Sequence, residues 1–268
     1  MILKPTFRQA LADASGPLVG LWNASGSAVA AELMAGSGAD LLLVDGEHGP
    51  IELREILHIL QAAEPYPVTT LVRVPWNDPV RIKQVLDLGA QNVLVPMVST
   101  ADDARAAVEA ARYPGAAGAR AGGRGIGSAL ARSSRWGRAA GYVQGADEHV
   151  SVTVQIETAE GVRNAADIAA VDGVDAVFIG PADLAGSMGF PGAPSTPDVV
   201  AAVDATIDAV RGAGIPVGVN AFAEVDADRV LARGADFVFV AADVTLMARG
   251  AEAAVQRLKP AEGTTDSY

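Results

Sequence analysis

LLLVDGEH (41–48) decides how this chain is read: an unbroken apolar run ends in an aspartate, a glutamate and a histidine. A short, continuous apolar run of this kind is a strand covered on both faces, as in a parallel sheet. Two further segments end the same way. VTVQIE (152–157) closes on Glu157, and AVFIGPAD (176–183) closes on Asp183. Polar groups at the carboxyl ends of buried parallel strands are where α/β proteins place their chemistry. Working outward, strands are predicted near 18–22, 40–44, 68–74, 92–97, 151–157, 175–180, 216–219 and 236–240. Amphipathic or Ala-rich segments separate them, among them IELREILHILQAA (51–63), DPVRIKQVLDLG (78–89) and DVVAAVDATIDAVRGAG (198–214). Several end in Gly, a helix-terminating signal. Gly38-Ala39-Asp40 and Gly234-Ala235-Asp236 each close a helix and open a strand, and Gly89-Ala90-Gln91 nearly repeats them. This weak internal repeat supports eight βα units. The prediction is an α/β chain folded as one (β/α)8 TIM barrel over residues 1–259, with a polar, frayed tail at 260–268. An open doubly wound sheet is the rival.

The gross composition agrees. With 268 residues, half of them hydrophobic, the chain is long enough for one large core. A net charge of −12 argues against a nucleic-acid partner, which would call for clustered Lys and Arg. There is no cysteine, which excludes disulfides, thiolate ligands and a thiol nucleophile, and is compatible with a cytoplasmic protein. No apolar run approaches the ~18 residues of a membrane span, and the N-terminus lacks the apolar core of a signal peptide. One stretch breaks the rhythm. Residues 113–149 begin YPGAAGARAGGRGIGSA, and a loop this long reads as functional or as a lid. Its glycines lack the strand-turn-helix context of a dinucleotide fingerprint.

The charged strand ends have both dull and chemical readings. Glu157 alone is a salt-bridged core residue or a helix-terminal acid, and Asp183 alone is a helix cap. Together at one barrel mouth, two carboxylates repel unless a cation sits between them, which suits a hard divalent ion with open positions. His58 and His149 read as structural. His48 ends its strand beside charged groups, and an imidazole titrates near neutrality, as proton transfer requires. Arg73, at the end of TTLVRV, is either a structural partner of a nearby Asp or a cation for a substrate carboxylate or oxyanion. None of the eight predicted strands contains a lysine, so a Schiff-base aldolase would lack its nucleophile.

Six stretches resemble the HpcH/HpaI family of metal-dependent, class II pyruvate aldolases. They are GLW (20–22), LLLVDGEHGP (41–50), VRVPWNDPVRIKQVLDLGAQNVLVPMV (72–98), RGIGSALARSSRW (124–136), VQIET (154–158) and GVDAVFIGPADLAGSMG (173–189). The resemblance implies that Glu157 and Asp183 bind the metal, Mg²⁺, Mn²⁺ or Co²⁺, with no organic cofactor. It implies that His48 is the acid/base, that Arg73 stabilises the enolate oxyanion, and that Asp87 raises the basicity of the histidine. Gln155 and Ala182 then touch substrate, as does Asp183, and Trp22 lines the pocket. The implied partners are a small 2-oxo acid, pyruvate or hydroxypyruvate, and an aldehyde. The products are compounds such as 4-hydroxy-2-oxoheptanedioate or a related 2-keto-3-deoxy acid. A homo-oligomer is implied, a hexamer built as a dimer of trimers. The segment GAAGARAGGRGIG (115–127) and the seventh strand end, PVGVNAFAEVD, depart from the family pattern. Both are expected to reshape the mouth and set aldehyde selectivity. The alternatives are a citryl- or malyl-CoA-type lyase, whose CoA phosphates would need the Arg cluster at 120–138, and a non-catalytic scaffold.

Overall fold

A computed structural model describes residues 3–115 and 122–259. The expected tail at 260–268 and part of the Gly/Arg-rich loop therefore lie outside the described residues. Eight parallel strands close into one barrel in sequence order: β1 (Leu18–Asn23), β2 (Leu41–Asp45), β3 (Thr69–Arg73), β4 (Asn92–Val95), β5 (Ser151–Ile156), β6 (Ala176–Ile179), β7 (Val217–Asn220) and β8 (Phe237–Ala242). Closure comes from β1 pairing with β8, Leu18 opposite Phe237. The open-sheet rival is thereby excluded. The helices are α1 (Phe7–Asp13), α2 (Ala28–Ala35), α3 (Leu53–Ala63), α4 (Pro79–Asp87), α5 (Ala101–Ala111), α6 (Tyr142–Gly145), α7 (Ala159–Arg163), α8 (Ala165–Ala169), α9 (Pro181–Ser187), α10 (Pro197–Gly212), α11 (Glu224–Arg233) and α12 (Asp243–Gln256).

Two-residue alternation sorts every strand into an outward and an inward row. Outward Leu42, Val44, Val72, Val93, Val177 and Val238 pack against the helices. Inward Leu41, Leu43, Leu71, Leu94, Phe178, Phe237 and Phe239 fill the barrel. Phe7 of α1 plugs its amino-terminal end, edge-on to Phe237 at 5.0 Å. Gly20 and Gly218 make room for the aromatic stack: a β-carbon at either would overlap the ring of Phe239 or Phe237. The inward rows, read toward the carboxyl ends, finish on Trp22, Asp45, Arg73, Gln155 and Asn220. The barrel's pleat thus delivers these side chains to one face.

The Gly-Ala-Asp repeat has a physical basis. Gly38, Gly89 and Gly234 adopt left-handed φ of 91°, 95° and 104°, which terminate the preceding helix. Asp40 Oδ2 then accepts from the Val19 amide, and Asp236 Oδ2 accepts from the Val217 amide, each at 2.9 Å. Gly173-Val174-Asp175 is a further copy, with Asp175 Oδ2 accepting from the Val152 amide at 2.8 Å. Each aspartate satisfies the backbone of the strand before its own.

One expectation is corrected. The 113–149 excursion is not a lid over its own mouth. Its described part lies at the opposite, amino-terminal rim, where Arg124 binds Asp87 at the end of α4 and Arg132 and Arg135 bind Glu64 at the end of α3. Beyond the buried Asp243, every residue of α12 is exposed, including Leu246, Met247 and Val255. Val19 on β1 and Val29 and Leu33 on α2 are exposed as well.

Candidate active site

A cavity of about 290 Å³ opens at the carboxyl ends of the strands. Trp22, Asp45, His48, Arg73, Gln155 and Asp183 are among its walls. Ala182, expected to touch substrate, also lines it. None of the chain's lysines, Lys4, Lys83 and Lys259, does.

Arg73 ends the inward row of β3 and is 5% exposed. Its Nε and Nη2 donate to Asp45 Oδ1 at 3.0 and 2.8 Å, and its Nη1 lies 2.9 Å from Glu47 Oε2. The guanidinium also lies over the Trp22 ring, 4.5 Å from its centroid. Both readings of Arg73 therefore hold at once: it is paired with acids and still faces the cavity. Asp45 also accepts from the backbone amides of Glu47 and His48, which shapes the turn after β2. His48 stands on that turn with its side chain 64% exposed, its Nε2 3.9 Å from Glu47 Oε2.

Glu157 follows β5 directly and is 2% exposed. Its Oε1 accepts from the Met97 amide at 2.7 Å, and its Oε2 accepts from Gln155 Nε2 in a short contact. Met97 holds a left-handed φ of 57°, unusual for a residue with a side chain, and this aims its N–H at Glu157. Burial pushes the Glu157 carboxyl up to about 7. The Met97 and Gln155 hydrogen bonds pull it down, while the Glu47 and Asp183 charges add to the rise. Gly180 permits this packing, since a β-carbon there would sit 2.8 Å from Glu157 Oε2 and 2.9 Å from Gln155 Nε2. Asp183 lies in the first turn of α9, whose N-cap is Gly180, so Asp183 is not the cap. It is exposed to the cavity.

Glu47 was not singled out by the sequence, although it stands inside DGEH. Burial raises its carboxyl above the ordinary range. The Arg73 guanidinium opposes that, and Asp45 and Asp183 reinforce it. The Asp183 charge thus acts on both buried carboxyls, Glu47 and Glu157, and Glu47 acts on Glu157 as well. Among the described residues, no three His, Asp or Glu side chains converge into a complete metal cage. The donor set fits a hard divalent cation held by Glu157 and Asp183, with its remaining positions open to water or substrate oxygens.

The predicted positioning of Asp87 against His48 does not occur within one chain. Asp87 is the last residue of α4, and a helix that follows a strand returns to the amino-terminal rim. There its Oδ1 accepts from Arg124 Nη2 at 2.7 Å.

Residues 18–250 match the family model described as HpcH/HpaI aldolase/citrate lyase. The chain is 51% identical over 255 residues, 95% of each protein, to a 4-hydroxy-2-oxo-heptane-1,7-dioate aldolase of Salmonella heidelberg (strain SL476). It is similar to the crystal structure of an HpcH/HpaI aldolase/citrate lyase family protein from Burkholderia cenocepacia J2315. That match has a TM-score of 0.89 and 37% identity, covering 94% of this chain and 98% of the other. A citrate lyase beta subunit from M. tuberculosis, solved with oxaloacetate and magnesium, matches with a TM-score of 0.54 over 84% of this chain and 92% of that one. At 18% identity it speaks to the fold alone.

Proposed function

Because the chain belongs to the HpcH/HpaI aldolase/citrate lyase family of aldehyde-lyases, we propose that it joins and cleaves a carbon–carbon bond between a pyruvate-type enolate and an aldehyde. The observation that carries this is the convergence of Asp183, Arg73 and His48 on one cavity at the strand ends, with the buried Glu157 carboxylate directly behind the lining residues Gln155 and Gly180. Cleaving a bond β to a ketone leaves an enolate, so the site must hold negative charge on the former carbonyl oxygen.

Glu157 and Asp183 are the residues that would hold a divalent cation, which when bound would supply Lewis acidity toward a 2-oxo acid. Arg73 places a positive group where the enolate charge develops, pre-oriented by Asp45, Glu47 and the Trp22 face. His48, exposed to the cavity, takes the proton of the 4-hydroxyl in cleavage and returns it in addition. Gln155 Oε1 is buried without a partner, so the amide can turn to offer either atom when substrate or ion arrives.

Asp87 can support His48 only from a second copy, because in its own chain it lies at the other rim. The uncovered α12 favours the same homo-oligomeric reading. Exposed Leu246, Met247 and Val255 have no cover in their own barrel, and β1 and α2 leave exposed Val19, Val29 and Leu33. An active species of a single chain's mass in size exclusion with light scattering would refute it.

The CoA-lyase alternative rested on the Arg cluster at 120–138, three of whose arginines are engaged away from the mouth. Arg124, Arg132 and Arg135 are buried against acids at the rim opposite the mouth, Arg138 is exposed, and Arg120 lies outside the described residues. The reading is tested by screening aldehydes with pyruvate and hydroxypyruvate, with and without Mg²⁺ or Mn²⁺. Metal-dependent aldol formation is expected. Borohydride trapping of a pyruvate adduct on the protein would refute the reading.

A further inference from the structure

The two flanks of the cavity differ in kind. Strands β3 and β6 bring charge, Arg73 and, just beyond β6, Asp183, and β5 brings Gln155 with the buried Glu157 behind it. The flank built from β7, β8 and the start of α12 brings Phe222, Val244 and Ala242, and one amide, Asn220. Thr245 also stands there, but its hydroxyl is engaged with the Ala242 carbonyl at 2.9 Å.

Asn220 is the last residue of β7 and ends that strand's inward row. The indole Nε1–H of Trp22 donates to its Oδ1 at 2.9 Å. An indole nitrogen can only donate, so the atom facing Trp22 has to be the oxygen. The orientation of the amide is thereby fixed, with Nδ2 and its two N–H groups turned away from the ring. Among the described residues, none accepts a hydrogen bond from Nδ2, and it is not among the atoms buried without a partner. An oriented, unused pair of donors thus stands on an otherwise apolar flank, apart from the cluster that the 2-oxo acid requires.

We propose that Asn220 selects the aldehyde, its Nδ2–H groups donating to an oxygen that the aldehyde carries beyond its reacting carbonyl. The preferred partner is then a hydroxy- or carboxy-aldehyde rather than an alkyl one. An alkyl chain lying on this flank strips water from the amide and returns no acceptor, and a site built that way discriminates against the analogue lacking the oxygen. The inference rests on the aldolase reading given above.

The test compares kcat/KM with pyruvate for two matched pairs, glyceraldehyde against propanal and succinic semialdehyde against pentanal. It uses the wild-type protein, Asn220→Leu and Asn220→Asp. The aspartate variant is nearly isosteric and keeps an oxygen toward Trp22, but it replaces the donors by an acceptor. The wild type should favour the oxygen-bearing member of at least one pair. Both variants should shrink that ratio by about tenfold, the worth of one hydrogen bond at the upper end of its range. The pair that responds identifies hydroxyl or carboxylate as the recognised group. Melting temperatures verify that both variants fold. A residue that merely props Trp22 would lower all four aldehydes together, and that result, or an unchanged ratio, overturns the inference while leaving the aldolase intact. Absence of turnover with every aldehyde would bring down the aldolase reading, and this inference with it.

Discussion

The two rims of the barrel handle charge in opposite ways. At the amino-terminal rim the buried arginines are paired with acids. Asp87 holds Arg124, Glu64 holds both Arg132 and Arg135, and Asp175 holds Arg8. At the mouth, Glu47 and Asp183 both act on Glu157, Arg73 pairs with Glu47, and burial pushes the Glu47 and Glu157 carboxyls up. The first rim is settled for stability, whereas the second is left unsettled for chemistry, the division expected between the bottom and top faces of such barrels. Substitutions at the mouth should therefore alter catalysis far more than folding, and those at the opposite rim should do the reverse.

The largest effect should come from removing the cation that the mouth calls for. Exhaustive EDTA treatment should abolish turnover, and Mg²⁺, Mn²⁺ or Co²⁺ should restore it. Full activity in the chelated protein would remove the chemical reason for gathering three acids.

Next in size are the two side chains assigned to charge and proton. Arg73→Ala should lower kcat/KM by about 10²-fold or more, the usual loss of an oxyanion partner. His48→Ala should lose about 10²–10⁴-fold through proton transfer, with its melting temperature unchanged because the side chain is mostly exposed. The variant should still bind metal and pyruvate by calorimetry. Loss of metal binding would make His48 a ligand and reverse its assigned role.

The comparison also shows what the sequence makes legible. All eight strands could be read, since buried parallel strands are short β-branched runs and little else in the chain looks like them. The inward rows of the same runs end on Trp22, Arg73 and Gln155, whereas His48, Glu157 and Asp183 stand just past their strand ends. Glu47 was harder: it lies past the end of β2, where strand alternation no longer says which way a side chain points. The 113–149 excursion and Asp87 follow a simpler rule that motif matching passes over. A segment that follows a helix and precedes a strand lies at the amino-terminal rim, and the last turn of a helix lies there too. Periodicity marks the apolar residues of α12 as well as those of α10, yet Val199, Val203, Ile207 and Val210 of α10 are buried and Leu246 and Met247 of α12 are not. A helix's own sequence shows which face needs cover, not what provides it.

A middle-sized prediction places Glu157 between catalysis and stability. Its carboxyl titrates near 7 in the folded protein and near 4.5 when free. The neutral form is therefore favoured by folding. Its contribution is fully present below about pH 4.5 and is lost as pH rises through about 7, on the order of 3 kcal/mol in all. In EDTA the melting temperature should fall across that window. Glu157→Gln should flatten the fall, since the introduced amide still accepts from Met97 and Gln155 can turn its free Oε1 toward it. Mg²⁺ should raise the wild-type melting temperature at pH 8 more than at pH 5, and should leave the variant unmoved. A wild-type curve that stays flat without metal would mean that the mouth carries no electrostatic strain.

The smallest effect is expected at the opposite rim, where the comparison can be broken most cleanly. Glu64 is exposed, yet its two oxygens accept from Arg135 Nη2 at 2.6 Å and Arg132 Nη2 at 2.8 Å. Both arginines are nearly buried, at 7% and 9% exposure, and burial lowers the Arg132 pKa. Arg132 also donates to the Leu88 carbonyl, and Arg135 and Trp136 hold left-handed φ of 54° and 56°, so the whole turn is pinned through these side chains. Glu64→Ala leaves two buried cations against each other. Because Glu64 itself is partly solvated, the cost should be about 1–3 kcal/mol rather than the larger value of a fully buried pair. Urea denaturation of the metal-loaded protein should show that loss, while kcat/KM per folded subunit stays within about threefold of wild type. Should activity fall by an order of magnitude with the fold intact, the 122–149 segment would have to reach a mouth. Its own lies at the far end of the barrel, so the mouth would belong to a second copy.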